Sequence, residues 1–224
     1  MAYTSWYEDW LSTPRFHRYL SASSGDRERA LALYEWNLRL SAAITRDISH
    51  LEIALRNAYD RTLSELWQGS DHWTLDPESP VTTPLPRTRN GRAFDANAGN
   101  RRSIDEAVRR CRHRSTAPDD IITELPFGFW RHVTDAAHEK ALWVPYLHHA
   151  WASGTDRSTI DRTLSRVNIV RNRAAHHEPV IISGRTGVLT VYEEIVELLG
   201  LLLPNLAKHA AATTTVAAVL LDRP

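Results

Sequence analysis

An arginine, an asparagine and a histidine stand close together in the run Asn168-Ile169-Val170-Arg171-Asn172-Arg173-Ala174-Ala175-His176-His177-Glu178-Pro179. These side-chain types suit phosphodiester chemistry. Histidine titrates near neutrality and can take or give a proton, and arginine offers phosphate a planar, permanently charged fork. Cleavage through a ribose 2′-hydroxyl needs both: a group that shares the hydroxyl proton, and positive charge for the phosphorane that forms. On a helix Asn172 and His176 are four apart and share a face, so the carboxamide can hold the imidazole. Arg171 lies five before His176, roughly 140° round the helix, so those two are not stacked. Either Arg171 reaches around, or a second copy of the chain completes the site.

The same residues have a plainer use. Arg171 can pair with Glu52, and His176 can close its helix against carbonyls at the end where a cation is favoured. His177 and Glu178 then read as ordinary end-of-helix residues. Glu52 and Arg56, also four apart, read as ion-pair partners that orient Arg171 or His176. The 11 histidines prompt a search for metal ligands. Neighbours such as His148-His149 and His176-His177 point to different sides of a helix, and no H-x3-H, C-x2-C or HExxH pattern occurs. The expectation is chemistry without metal or cofactor.

Charge is balanced overall, with 27 basic and 27 acidic residues, so an argument for a polyanionic partner must be local. One exists. Between Arg87 and Arg114 arginine stands at 87, 89, 92, 101, 102, 109, 110, 112 and 114 against Asp95, Asp105 and Glu106. Arg157, Arg162, Arg166, Arg171 and Arg173 form a second basic tract. Arg101, Arg102, Arg109, Arg110 and Arg173 are therefore candidate RNA contacts, with a solvated helix face as the plainer reading.

Helical periodicity dominates the elements that must position these groups. From a start at Ser24-Gly25-Asp26, Leu33, Trp36, Leu40, Ile44, Ile48, Leu51, Leu55, Tyr59, Leu63 and Leu66 recur at spacings of three and four. That stripe predicts one long helix, the spine of a bundle, preceded by a shorter helix over 7–20. Residues 76–100, broken by Pro77, Pro80, Pro84, Pro86, Gly91 and Gly99, predict a long mobile loop. Helices are expected over 101–114, from Pro118, over 127–143, from Asp156 to His177 or Glu178, over 189–203 and after Pro204. Pro179 sets the end of the motif helix, and a turn is expected at 183–187. No internal repeat or strand-like alternation is evident. The reading is a single all-α domain, 1–224, with one inserted loop.

Three ordered blocks resemble a known family. Arg171-Asn172-Arg173-Ala174-Ala175-His176 matches the R-x(4–6)-H motif of the HEPN superfamily, and the doubled His176-His177 with Glu178 is similar to its Abi-like (abortive infection) branch. Glu52-Ile-Ala-Leu-Arg56 resembles the E-x3-R/K signature on the early helix of that family. Glu124-Leu-Pro-Phe-Gly-Phe-Trp130 resembles a further Abi-like block, which a tryptophan, here Trp143, follows. The resemblance covers residues 40–200. It implies a HEPN-like bundle that dimerises with paired motifs at the interface, and a metal-independent endoribonuclease leaving a 2′,3′-cyclic phosphate. Catalysis would fall to Arg171, Asn172 and His176, supported by Glu52, Arg56 and His177. It also implies a growth-arrest effector in phage defence or beside an antitoxin. The alternative in a different class is a HEPN-fold module that binds RNA or protein without cutting, and a third is a structural helical dimer.

A single cysteine, Cys111, excludes an intrachain disulfide and suits a reducing compartment. The first residues carry Glu8 and Asp9 and no apolar core, and Leu198–Leu203 is too short to span a bilayer. A cytoplasmic protein is expected.

Overall fold

A computed structural model describes residues 6–111, 117–180 and 187–224. The architecture is all-α, with one small hairpin added. The spine is α3 (Arg27–Leu66), which at 40 residues runs about 60 Å. Its start is built as the residues require: Ser24 and Gly25 take positive φ to turn the chain, and the Asp26 carboxylate accepts the Arg29 amide at 3.0 Å. The apolar stripe from Leu33 to Leu63 is buried along its whole length.

The other helices cover this spine. The region before it is two helices, α1 (Trp6–Leu11) and α2 (Thr13–Ala22), separated at Ser12, whose φ is 63°. The single helix expected over 7–20 is therefore broken, with Pro14 in the first turn of α2. α8 (Val188–Leu202), α9 (Pro204–Thr213) and α10 (Val216–Leu221) pack against α3 and one another. The Trp36 indole donates to the Val219 carbonyl at 2.6 Å, and Thr214 donates to the buried Asp47 carboxylate at 2.6 Å. Leu198 and Leu199 lie in the core, so the start of the C-terminal apolar stretch is consumed within the chain rather than left for a partner.

Residues 76–100 depart from the expected loop. They form a built element containing β1 (Pro86–Arg89) paired antiparallel with β2 (Arg92–Asp95). The turn between them places Asn90 and Gly91 at φ 50° and 73°, the pair of positive values that an Asn-Gly hairpin turn needs. The element is anchored at its base. Val81 is fully buried, and Trp73 stacks on Phe129, meets Trp130 edge-on and donates to Asp60 at 2.9 Å. The following helix, α4, spans Ala98–Cys111, starting earlier than Arg101.

α5 (Pro118–Glu124) begins with proline in its first turn, as expected. The helix expected over 127–143 is fragmented into α6 (Phe127–His132), a 3₁₀ turn (Ala136–His138) and a π-turn (Glu139–Trp143). Asp135 causes the break, because its side chain captures the amides of Ala137 and His138. Phe127, Phe129, Trp130 and Trp143 are all core. The motif helix is α7 (Arg157–Ala175), capped by the Asp156 carboxylate on the Thr159 amide at 2.8 Å. The turn expected at 183–187 lies, but for Gly187, outside the described residues.

Candidate functional site

α7 buries Ile160, Leu164, Val167, Val170 and Ala174. The register this fixes leaves Ile169, Asn172 and His176 exposed on the opposite side, with Arg171 half-buried at the boundary. The helix ends in a Schellman arrangement: Glu178 donates to the Arg173 carbonyl at 2.8 Å and His177 to that of Ala174 at 3.1 Å. His177 holds the left-handed position at φ 54°, where a non-glycine residue costs roughly 1–2 kcal/mol. The expected stop at His177 or Glu178 is thus close. The helix proper ends at Ala175, and His176 is the cap, still bonded to the Asn172 carbonyl at 3.0 Å.

The chain beyond the cap is held by a residue that sequence reading passed over. Asn37, buried on α3, accepts the Val180 amide at 2.9 Å and donates to the Glu178 carbonyl at 3.4 Å. Its partners lie more than 140 positions away, so only the fold reveals the pairing. Arg15 and Arg18 of α2 also reach this end, lining with Glu178 and Pro179 a cavity of about 190 Å³. These are two cations beside the motif that charge counting in the sequence did not single out.

Glu52 ties the three sequence blocks together. Burial pushes its carboxyl above the ordinary glutamate range, while the charges of Arg171 and Arg56 and a hydrogen bond from the Phe127 amide pull the other way. One carboxyl therefore feels the arginine of the motif, its own helix neighbour and the start of α6. The corner before Phe127 is gripped in turn by Arg110, which pairs with the Glu124 carboxylate at 3.2 Å and donates to its carbonyl at 3.1 Å.

Because the folded-state value of Glu52 is raised, the group favours folding below the ordinary glutamate range and opposes it as pH rises through the folded value. Glu52→Gln mimics the protonated form. It is expected to melt higher than the parent near pH 7–8, with the gap closing toward pH 4. Thermal melts across that range check this, and a variant less stable at pH 7 than at pH 4, relative to the parent, contradicts it.

The remaining candidates divide. Asn172 does not hold the imidazole: its carboxamide oxygen accepts from Arg171 at 3.5 Å, the outer limit of a hydrogen bond. Neither ring nitrogen of His176 has a hydrogen-bond partner among the described residues. Arg56 leans on Asn57 at 3.3 Å. Arg101 is drawn into the insertion, donating to the Thr82 carbonyl and pairing with Asp95. Arg110 serves the α5–α6 corner, and Arg173 turns back to the Pro179 carbonyl at 3.5 Å. Arg102 and Arg109 are exposed, while Arg112 and Arg114 lie outside the described residues. On α7, Arg157 and Arg166 are held by Glu139 and Glu194.

His177 has a defined structural task as the left-handed residue, and this can be separated from chemistry. His177→Gly is expected to stabilise the fold by about 0.5–1 kcal/mol, the relief of the left-handed strain less the added freedom of glycine in the unfolded chain. Denaturant melts measure it. A loss of stability would show that the imidazole contributes contacts beyond its backbone position.

The described arrangement is an exposed histidine capping α7, a half-buried arginine five residues earlier on that helix, a carboxyl that feels this arginine's charge, and two further arginines that share a cavity with Glu178 and Pro179. A scan against protein-family models and searches of curated proteins and of solved structures returned no match.

Proposed function

We propose that the chain is a metal-independent endoribonuclease of HEPN type, with Arg171 and His176 as its catalytic pair. The observation that carries this reading is the convergence on Glu52. The charges of Arg171 of the motif and of Arg56, and the Phe127 amide of the Glu124–Trp130 block, all act on this one carboxyl, and Arg171 lies on the helix that the exposed His176 caps. In this reading His176 shares the 2′-hydroxyl proton or protonates the leaving oxygen, Arg171 stabilises the phosphorane, and Asn172 steadies the guanidinium. Glu52 is a positioning residue, and Arg15 and Arg18 extend the phosphate-binding surface. The role suits a growth-arrest effector of phage defence or a toxin held by an antitoxin, acting in the cytoplasm, where the lone buried Cys111 stays reduced.

A homodimer follows from the angular separation of Arg171 and His176 on one helix. Ile53, next to Glu52, is 48% exposed and Ile169, one turn before Asn172, is 50% exposed, apolar surface that a second copy would cover. Sedimentation showing a stable monomer at micromolar concentration would remove this part of the proposal. The second reading, a HEPN-fold module that binds RNA without cutting it, is favoured by the absence, among the described residues, of any hydrogen-bond partner for the His176 ring. Purified protein incubated with total RNA in EDTA separates the two: new 2′,3′-cyclic phosphate ends, lost with His176→Ala, support the nuclease, and retention of intact RNA supports the module.

A further inference from the structure

A second polar cluster sits at the opposite end of α7. It is built by His132 at the end of α6, by Asp135, and by His138 in the 3₁₀ turn. One ligand-capable atom from each lies within 4.8 Å of the others. Arg131 approaches Asp161 of α7 at 3.8 Å, and the fifteen residues from Asp161 to His176 put the cluster about 22 Å from the motif. The pattern H-x2-D-x2-H is hidden from a search of histidine and cysteine spacings, because an aspartate supplies the middle ligand and a helix break brings the histidines together.

The orientation of both imidazoles is set by two asparagines. Asn97 donates its amide nitrogen to the Pro80 and Thr83 carbonyls, at 2.9 and 2.6 Å, so its oxygen must be what faces His138 Nε2 at 3.0 Å. Asn100 donates to that same oxygen at 2.9 Å, which turns its own oxygen to His132 Nδ1 at 3.2 Å. The asparagine oxygens thus face His138 Nε2 and His132 Nδ1, and the Asn100 amide nitrogen lies a further 3.4 Å from His138 Nε2. The nitrogens left over, His138 Nδ1 and His132 Nε2, face the Asp135 carboxylate at 2.7 and 3.8 Å. At 2.7 Å His138 Nδ1 and Asp135 share a proton in a hydrogen bond, and an ion that takes both groups as ligands replaces that proton. Histidines tethered through their far nitrogens to fixed acceptors are how proteins orient metal ligands.

We propose that His132 Nε2, Asp135 and His138 Nδ1 form a binding site for a divalent transition metal, zinc by ligand type, with Asn97 and Asn100 as the groups that fix the ligands. Two imidazoles and one carboxylate leave a tetrahedral ion one open position. His132 and Asp135 line a cavity of about 590 Å³, whose other walls include Arg89 and Phe94 of the hairpin, Arg131 and Asp161. Two of the three ligands thus border a space large enough for a small ligand. The insertion acquires a purpose: its hairpin is pinned over the cluster by Arg87, which donates to the Ala137 carbonyl at 2.9 Å, and its base carries both asparagines.

The test reads binding and not activity. Full-length protein, stripped with EDTA and desalted, is titrated with Zn²⁺ by calorimetry and with Co²⁺ by visible absorption. One equivalent should bind, with tetrahedral Co²⁺ bands and a melting temperature that rises with metal concentration. His132→Gln and Asp135→Asn, checked for folding by circular dichroism, should lose saturable binding, and Asn100→Ala should weaken it by about 10–100-fold. Absence of saturable binding by the parent at micromolar metal overturns the proposal. So does binding that survives in both ligand variants, which would place the ion elsewhere. Protonation of both His138 ring nitrogens in ¹⁵N spectra recorded with Zn²⁺ present would show instead a buried imidazolium held by Asp135 and Asn97.

Discussion

His176→Ala is expected to reduce RNA cleavage by on the order of 10²–10⁴ while leaving RNA affinity nearly unchanged. The magnitude is that of a general acid or base removed from a proton-transfer step. The selectivity comes from the structure: His176 is an exposed cap residue, its backbone N–H is already bonded to the Asn172 carbonyl, and its ring has no hydrogen-bond partner among the described residues. Truncation should therefore leave the melting temperature in place, and the loss should fall in kcat rather than KM. Single-turnover cleavage of a labelled RNA, with binding followed in parallel, measures both. Unchanged cleavage by this variant would end the assignment of the motif as the catalytic centre.

Arg171→Ala should act differently. Its guanidinium meets a charge that grows toward the transition state, and losing such a donor costs about 10²–10³ in rate. Ground-state phosphate contact disappears as well, so affinity should fall with it. A structural consequence accompanies the kinetic one. Arg171 is the leading charge that offsets the burial of Glu52, so its removal should push the Glu52 carboxyl further up. Arg171→Lys keeps a charge but not the planar fork, and should restore the behaviour of Glu52 more fully than it restores the rate. Equal losses for lysine and alanine in rate, with full recovery at Glu52, would show that the fork geometry carries the catalytic contribution. Loss of affinity without loss of rate would make Arg171 a binding residue only.

Much of the scaffold is legible in the sequence because its signals are local and strong. Forty residues of unbroken periodicity, opened by Asp26 behind Gly25, specify α3, and Pro179 bounds the motif helix. The parts that escaped depend on distant partners or on weak local signals. The strands Pro86–Arg89 and Arg92–Asp95 are polar and largely exposed, so they lack alternation, and only Asn90-Gly91 marks the hairpin. The burial of Trp73, which anchors the base of the insertion, is decided by Asp60 of α3 and by Phe129 and Trp130 of α6. The break after α6 follows from one aspartate preferring the amides ahead of it. In the candidate site, Arg171, His176 and Glu52 could be named from type and spacing. Asn37, Arg15 and Arg18 could not, since α2, α3 and the residues Glu178–Val180 after the motif meet only in the folded chain. Arg101 and Arg110 show the converse, where a local excess of charge is partly consumed by internal carboxylates and carbonyls.

Arg171 and His176 are proposed to act on a phosphodiester through the neighbouring ribose hydroxyl, without metal. The most direct measurement compares a labelled RNA with the same molecule carrying one 2′-deoxynucleotide at the cleaved position, both in EDTA. Removing that hydroxyl deletes the nucleophile and leaves the phosphate contacts almost intact. The parent protein is expected to bind both equally, to cut only the all-ribose strand at that position, and to leave a 2′,3′-cyclic phosphate and a 5′-hydroxyl. Cleavage of the deoxy-substituted strand at the same bond, or tight binding of many RNAs with no cleavage of any, would contradict it.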